Sequence, residues 1–203
     1  MEQRIWNEEE FTGRDFSSAD LMEYQFIRCK FYECRFWGTK LNELVAEKCS
    51  FEKCDFSGAR MNAAVLSDCR LSSCKFSGTI LFIARIENCQ LLGSSFADAD
   101  MGGISIVGGD WSWVSLRLQD LHGMNLRGIK FLDTDFYGAN LTDTDLRDTD
   151  LTGVNLDQAK LAGADLRGAN LSRVSMQSVD IKGVRLDIAQ AIHFARCYGA
   201  EVG

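Results

Sequence analysis

The 203-residue sequence has no proline, only two histidines, and no apolar run near the ~18 residues needed to cross a membrane. Two histidines, His122 and His193, are too few for a histidine-based metal centre. The 22 Lys and Arg are outnumbered by 29 Asp and Glu, a formal charge of −7, so the basic excess that binds phosphates is missing. No direct nucleic-acid binding is therefore expected. Met1-Glu2-Gln3-Arg4 lacks the apolar core of a signal peptide, and a cytoplasmic, membrane-free protein is the expectation. No Gly-x-Ser-x-Gly or phosphate loop occurs, and the acids are scattered rather than paired in an evident pocket. Neither an enzyme nor a cofactor or metal is expected.

What is present is a repeat of five. From Trp6 to Leu186, every fifth residue is Leu, Phe, Ile, Met or Trp at 36 of 37 positions, and Ala46 is the one lapse. Two residues before each centre, from Ala19 to Val184, 28 of 34 positions hold Ala, Cys, Ser, Thr, Val or Gly. A period of five fits neither the 3.6 of a helix nor the 2 of a strand. It fits a coil whose wall is five residues long, with one large and one small side chain pointing inward.

Cys29, Cys49, Cys69 and Cys89 are spaced by 20, as are Cys34, Cys54 and Cys74, and Phe16, Phe36, Phe56, Phe76 and Phe96 share a column resumed at Phe136. Four walls per turn follow, with residues 20 apart stacked about 4.8 Å from one another. Fourteen of the 18 glycines fall two residues after a centre, at the corners. Seven of the eight cysteines lie in the small inward row and read as core filler, interchangeable there with Ala or Ser. Cys197 alone lies outside the register.

The pattern resembles the pentapeptide-repeat family, as in Ala139-Asn140-Leu141 and Ala164-Asp165-Leu166. The resemblance implies an all-β fold, a right-handed quadrilateral β-helix of about nine coils, with a short C-terminal α-helix appended. Residues 1–10 are expected to cap the N-terminal end, 11–186 to form the β-helix, and 187–203 to form a capping or dimerising tail. Ile104, Gln119, Met124 and Ile129 break the small-residue rule, with Trp111 and Trp113 among them, and predict a wider or irregular coil, with a partner-binding bulge as the alternative.

After Leu186 the period stops. Asp187-Ile188-Ala189-Gln190 reads as a capping box, opening a helix from about Ile188 to Tyr198 that ends at Gly199. Ile188, Ala191, Ile192, Ala195 and Tyr198 share one face, flanked by Phe194. So short a helix must pack on the last coil or on a second subunit.

Val184-Arg185-Leu186-Asp187, Gln190-Ala191, Gly199 and Val202-Gly203 resemble the tail of the gyrase-protecting pentapeptide proteins of the Qnr and MfpA type. Phe11-Thr12-Gly13-Arg14-Asp15-Phe16 is similar to the opening of the loop-free MfpA type. That resemblance implies a homodimer through Ile188, Ala191, Ile192, Phe194, Ala195 and Tyr198. It also implies a partner, DNA gyrase or topoisomerase IV, bound by imitation of DNA, with relief of fluoroquinolone or toxin action as the outcome. Asp133, Asp135, Asp143, Asp145, Asp148, Asp150, Asp157 and Asp165 would stand in for phosphates. Residues 98–187 carry 14 acids and 9 bases, against 14 and 12 in residues 1–97, which places the acidic half beside the implied dimer centre. Nine coils at ~4.8 Å give a rod of ~43 Å, and two such rods approach the length of about 28 base pairs. The alternative is a scaffolding pentapeptide protein with no topoisomerase partner.

Overall fold

A computed structural model describes residues 4–202. Met1–Gln3 of the expected N-terminal cap, and Gly203 of the tail, lie outside the described residues. The chain forms two compact units, Met1–Asp110 and Trp111–Gly203.

In the first unit, β1 (Ile5–Asn7), β3 (Gln25–Ile27), β5 (Val45–Glu47), β7 (Val65–Ser67), β9 (Arg85–Glu87) and β10 (Ser105–Val107) stack in that order as one parallel sheet. A second wall stacks β2 (Glu10–Thr12), β4 (Lys30–Tyr32), β6 (Ser50–Glu52) and β8 (Arg70–Ser72). Every pairing has a register of 20, such as Phe26 against Ala46 and Phe31 against Phe51. The two remaining walls pair through single bridges with the same step, Asp15–Arg35–Asp55–Lys75–Ser95 among them. The expected quadrilateral β-helix is thus present. Its three-residue strands, however, persist for only about five turns of the nine expected coils. In the second unit the step of 20 continues as single bridges alone, for example Asn125–Asp145–Asp165–Arg185.

The corners explain the difference. After Phe36 the amide of Thr39 donates back to the Phe36 carbonyl at 3.1 Å and closes a β-turn. Corners of this closed kind follow every centre of the second unit from Trp111 to Ile181. After Phe26, Phe31, Ala46, Phe51, Leu66, Leu71 and Ile86, as after Trp6, Phe11 and Ile106, that bond is unmade, so the chain stays extended on both sides of the centre.

Seven of these ten open corners are followed by Cys29, Cys34, Cys49, Cys54, Cys69, Cys74 and Cys89, all buried and all free thiols. Each open corner orphans a carbonyl and an amide, which must find partners elsewhere. The Cys49 thiol donates to Phe26 O at 3.2 Å, and Cys69 to Ala46 O at 3.4 Å, taking the orphaned carbonyl one coil below. The amide of Cys49 donates to the Cys69 sulfur at 3.4 Å, and that of Cys69 to the Cys89 sulfur at 3.4 Å. Reading these cysteines as filler interchangeable with Ala is thereby corrected, because Ala offers neither donor nor acceptor. Cys69→Ala is expected to cost about 1–3 kcal/mol in denaturant unfolding. Cys69→Ser is expected to stay near wild type, since Ser94 makes the equivalent bond to Leu71 O at 2.8 Å.

Aromatic columns fill the first unit. Phe36, Phe56, Phe76 and Phe96 stack with centroids 4.6–5.0 Å apart and planes within 5° of parallel. The coil spacing imposes that distance, and the rings satisfy it by offset stacking. Corner residues two past a centre have φ near +60°, in 21 cases without glycine. Glycine is indispensable at Gly109, where φ is +93° and a Cβ would overlap the Cys89 carbonyl.

Candidate functional site

Two surfaces of the second unit carry the residues singled out by sequence, the acidic walls and the terminal helix. Asp143, Asp148 and Asp157 are exposed, Asp133, Asp135, Asp145 and Asp150 are half-buried, and Asp165 is only 7% exposed. Coil stacking aligns Asn125, Asp145, Asp165 and Arg185 in one column and Arg127, Arg147, Arg167 and Asp187 in the column beside it. The wall they share is therefore a lattice of both signs.

Arg147 holds Asp145 through both nitrogens, at 2.9 and 2.6 Å. Arg167 holds Asp165 in the same way, at 2.9 and 2.7 Å, with Arg147 at 3.9 Å and Arg185 at 4.0 Å. Arg127 meets Asp148 at 2.7 Å, Arg117 meets Asp135 at 2.9 Å, and Arg173 reaches across two coils to Asp133 at 3.1 Å. Asp143 has no cationic partner among the described residues, Asp150 accepts from Thr152, and Asp157 accepts from Ser178. Five of the eight carboxylates are thus neutralised in place, and the three others are the ones a partner finds uncompensated. Sequence reading found the acids but missed the arginine column, whose signal was its spacing of 20.

The Arg167 hydrogen bonds hold the Asp165 carboxyl at about 2, below its ordinary 3.8. A lowered folded-state value contributes stability above the unfolded value that is lost as pH falls through the folded one. The melting temperature of the wild type is therefore expected to drop between pH 4 and pH 2 more steeply than that of Asp165→Asn. Parallel profiles would remove Asp165 from that role.

The charge asymmetry also changes once the units are known. Asp98, Asp100 and Asp110 belong to the first unit, which carries 17 acids and 12 bases, against 12 and 10 in the second. The excess of acid counted over residues 98–187 is therefore not a property of the second unit.

Helix α1 spans Ile188–Cys197. The expected capping box is formed: the Asp187 carboxylate accepts from the amides of Ala189 and Gln190, and the Gln190 side chain accepts from the Asp187 amide at 2.8 Å. Asp187 also accepts from the Gly168 amide at 2.8 Å, which lowers its pKa and ties the cap to the coil beneath. The docked face is polar. Buried Gln190 donates to Ala169 O at 3.0 Å, His193 Nε2 lies 3.2 Å from Val174 O, and Gln177 donates to Cys197 O at 2.9 Å.

The opposite face is apolar and open. Ile188 is 80% exposed, Ala191 is exposed, and Ile192, Phe194 and Ala195 are half-buried, while Tyr198 at the margin is 57% exposed and donates its hydroxyl to Gln177 O at 3.3 Å. The Phe194 and Tyr198 rings lie 5.0 Å apart. Among the described residues no group of three or more His, Cys, Asp or Glu is placed to hold a metal, and no helix is long and apolar enough to cross a membrane.

The comparisons agree with this geometry. The description "Pentapeptide repeat region" matches residues 46–126, and "Pentapeptide repeats (8 copies)" matches 120–153 and 149–187. Full-length QnrB1, a plasmid-mediated fluoroquinolone resistance protein, superposes with a TM-score of 0.87 at 20% identity, over 97% of this chain and 100% of its own. A trypsin-treated form of QnrB1 gives 0.85 at 21% identity, over 98% and 100%. None of the curated proteins matches the sequence. With the same repeat matched through residues 46–187 and the same stacked-coil fold along nearly its whole length, the chain belongs to the pentapeptide-repeat family and shares the fold of QnrB1.

Proposed function

We propose that this protein binds DNA gyrase, or the related topoisomerase IV, as a surrogate for DNA, and thereby protects the enzyme from fluoroquinolones or a gyrase-directed toxin. The observation that carries the reading is the fold shared with a fluoroquinolone resistance protein across nearly the full chain. The uncompensated carboxylates of Asp143, Asp150 and Asp157 supply the negative groups that a basic DNA-binding surface attracts and orients. The open face of α1 supports a homodimer: an apolar stripe of Ile188, Ala191, Ile192 and Ala195 lies opposite the docked residues, with Phe194 and Tyr198 at its margin, and a two-fold axis would bury it against its own copy. The protein acts without catalysis or cofactor, in the cytoplasm where its partner works.

One observation favours the scaffolding alternative. Five of the eight candidate phosphate surrogates are already paired with arginine, which weakens the field they present. A supercoiling assay separates the two readings. Purified protein added to gyrase is expected to inhibit supercoiling on its own and to reduce DNA cleavage trapped by a fluoroquinolone. Neither effect at micromolar concentration would leave the scaffold.

A further inference from the structure

A side chain at positive φ is strained when it is bulky, and it gains nothing inside the coil because it points outward. Of the 21 non-glycine corners, 18 hold Ala or a polar or charged residue, and only Ile83, Trp113 and Leu118 are large and apolar. Two of these, Trp113 and Leu118, stand at the two edges of one wall in the second unit, on either side of Leu116, and are 54% and 71% exposed. Leu118 lies over Gly138, where a Cβ would strike its side chain. Between them Arg117 is fixed over the Tyr137 ring, 4.2 Å from its centroid, by its ion pair with Asp135. Their wall therefore presents two apolar prongs around a rigid cation–aromatic centre.

We propose that Trp113 and Leu118 are an apolar anchor for a protein partner whose contact surface is basic. The inference rests on the gyrase reading and makes that enzyme the occupant. Charge selects the class of partner. Asp120, two residues past Leu118, and Asp157, two coils along the Arg117 column, have no cationic partner among the described residues. Those carboxylates repel nucleic acid, an anionic membrane and a second copy of the same wall, and they attract lysine and arginine. The prongs adjoin the acidic surface in the same unit, so one partner contacts both. Aromatic and aliphatic anchors of this kind carry a large share of binding energy, and they supply an apolar component that DNA phosphates cannot. Binding therefore retains a salt-resistant part.

The test is a double variant, Trp113→Gly with Leu118→Gly, measured for affinity to purified gyrase at low and high salt and for melting temperature. Glycine removes the prongs and relieves the positive-φ strain, so the melting temperature is expected to hold or rise. The dissociation constant is expected to weaken at least tenfold at both salt concentrations. Wild-type affinity in the double variant overturns the anchor, and so does a fall of several degrees in melting temperature, which would mark the pair as structural. Absence of gyrase binding by the wild-type chain overturns the gyrase reading itself.

Discussion

Ile188→Asp is expected to convert a dimer of the 22.7-kDa chain into a monomer without disturbing its fold. Ile188 is the most exposed large apolar residue of the helix at 80%, and none of the bonds that dock α1 involves it. It is the first helical residue, where a carboxylate is favoured by the helix dipole, so the helix itself gains slightly. In a two-fold interface the substitution is made twice, and each copy buries an unpaired charge against apolar surface, at a cost of several kcal/mol. A rise in the dimer dissociation constant of about 100-fold or more follows from that cost. Ile192 is half-buried, so a charge there would also disturb docking and is the less clean choice. Light scattering after size exclusion reads the mass directly. An unchanged dimer mass in Ile188→Asp would take the helix face out of the interface.

The triple change Asp143→Asn, Asp150→Asn and Asp157→Asn is expected to weaken gyrase binding about tenfold at low salt and to flatten its salt dependence. These three carboxylates have no arginine partner among the described residues, so neutralising them leaves the ion-pair lattice intact, and unfolding midpoints are expected to stay within experimental scatter. Exposed charges contribute chiefly to attraction and encounter rate, and that contribution is screened by salt. A matched triple of Asp135→Asn, Asp145→Asn and Asp165→Asn makes the control. Those carboxylates are held by Arg117, Arg147 and Arg167, so their loss is expected to show first in stability and to release arginines that oppose a basic partner. If the first triple binds as tightly as wild type, charge mimicry is removed from the mechanism.

Much of this could be read without coordinates. The inward row of large residues, the step of 20 and the stacked phenylalanines are consequences of local periodicity, and each stands where the spacing places it. The capping box at Asp187 is local for the same reason: all its atoms lie within four residues. The cysteines were placed correctly but understood incompletely. Their spacing showed the columns, while the reason for thiols rather than methyls lay in carbonyls and amides orphaned at corners whose openness no single pentapeptide reveals.

The acidic surface shows where local reading ends. Asp165 has the same outward register as Asp150, yet it is nearly buried, because Arg147 and Arg185 arrive from positions 18 and 20 residues away to join Arg167. Likewise the helix periodicity separates an apolar face from a polar one, but only contact with Ala169, Val174 and Gln177 shows that the polar face docks and the apolar face stays open. The period of five and the step of 20 between like residues were enough to specify a coil of four walls, since both are written in the residue types themselves. Which charges remain uncompensated, which corners stay open and which side of α1 meets solvent were decided by stacking, because the groups that settle them lie a full coil or more apart.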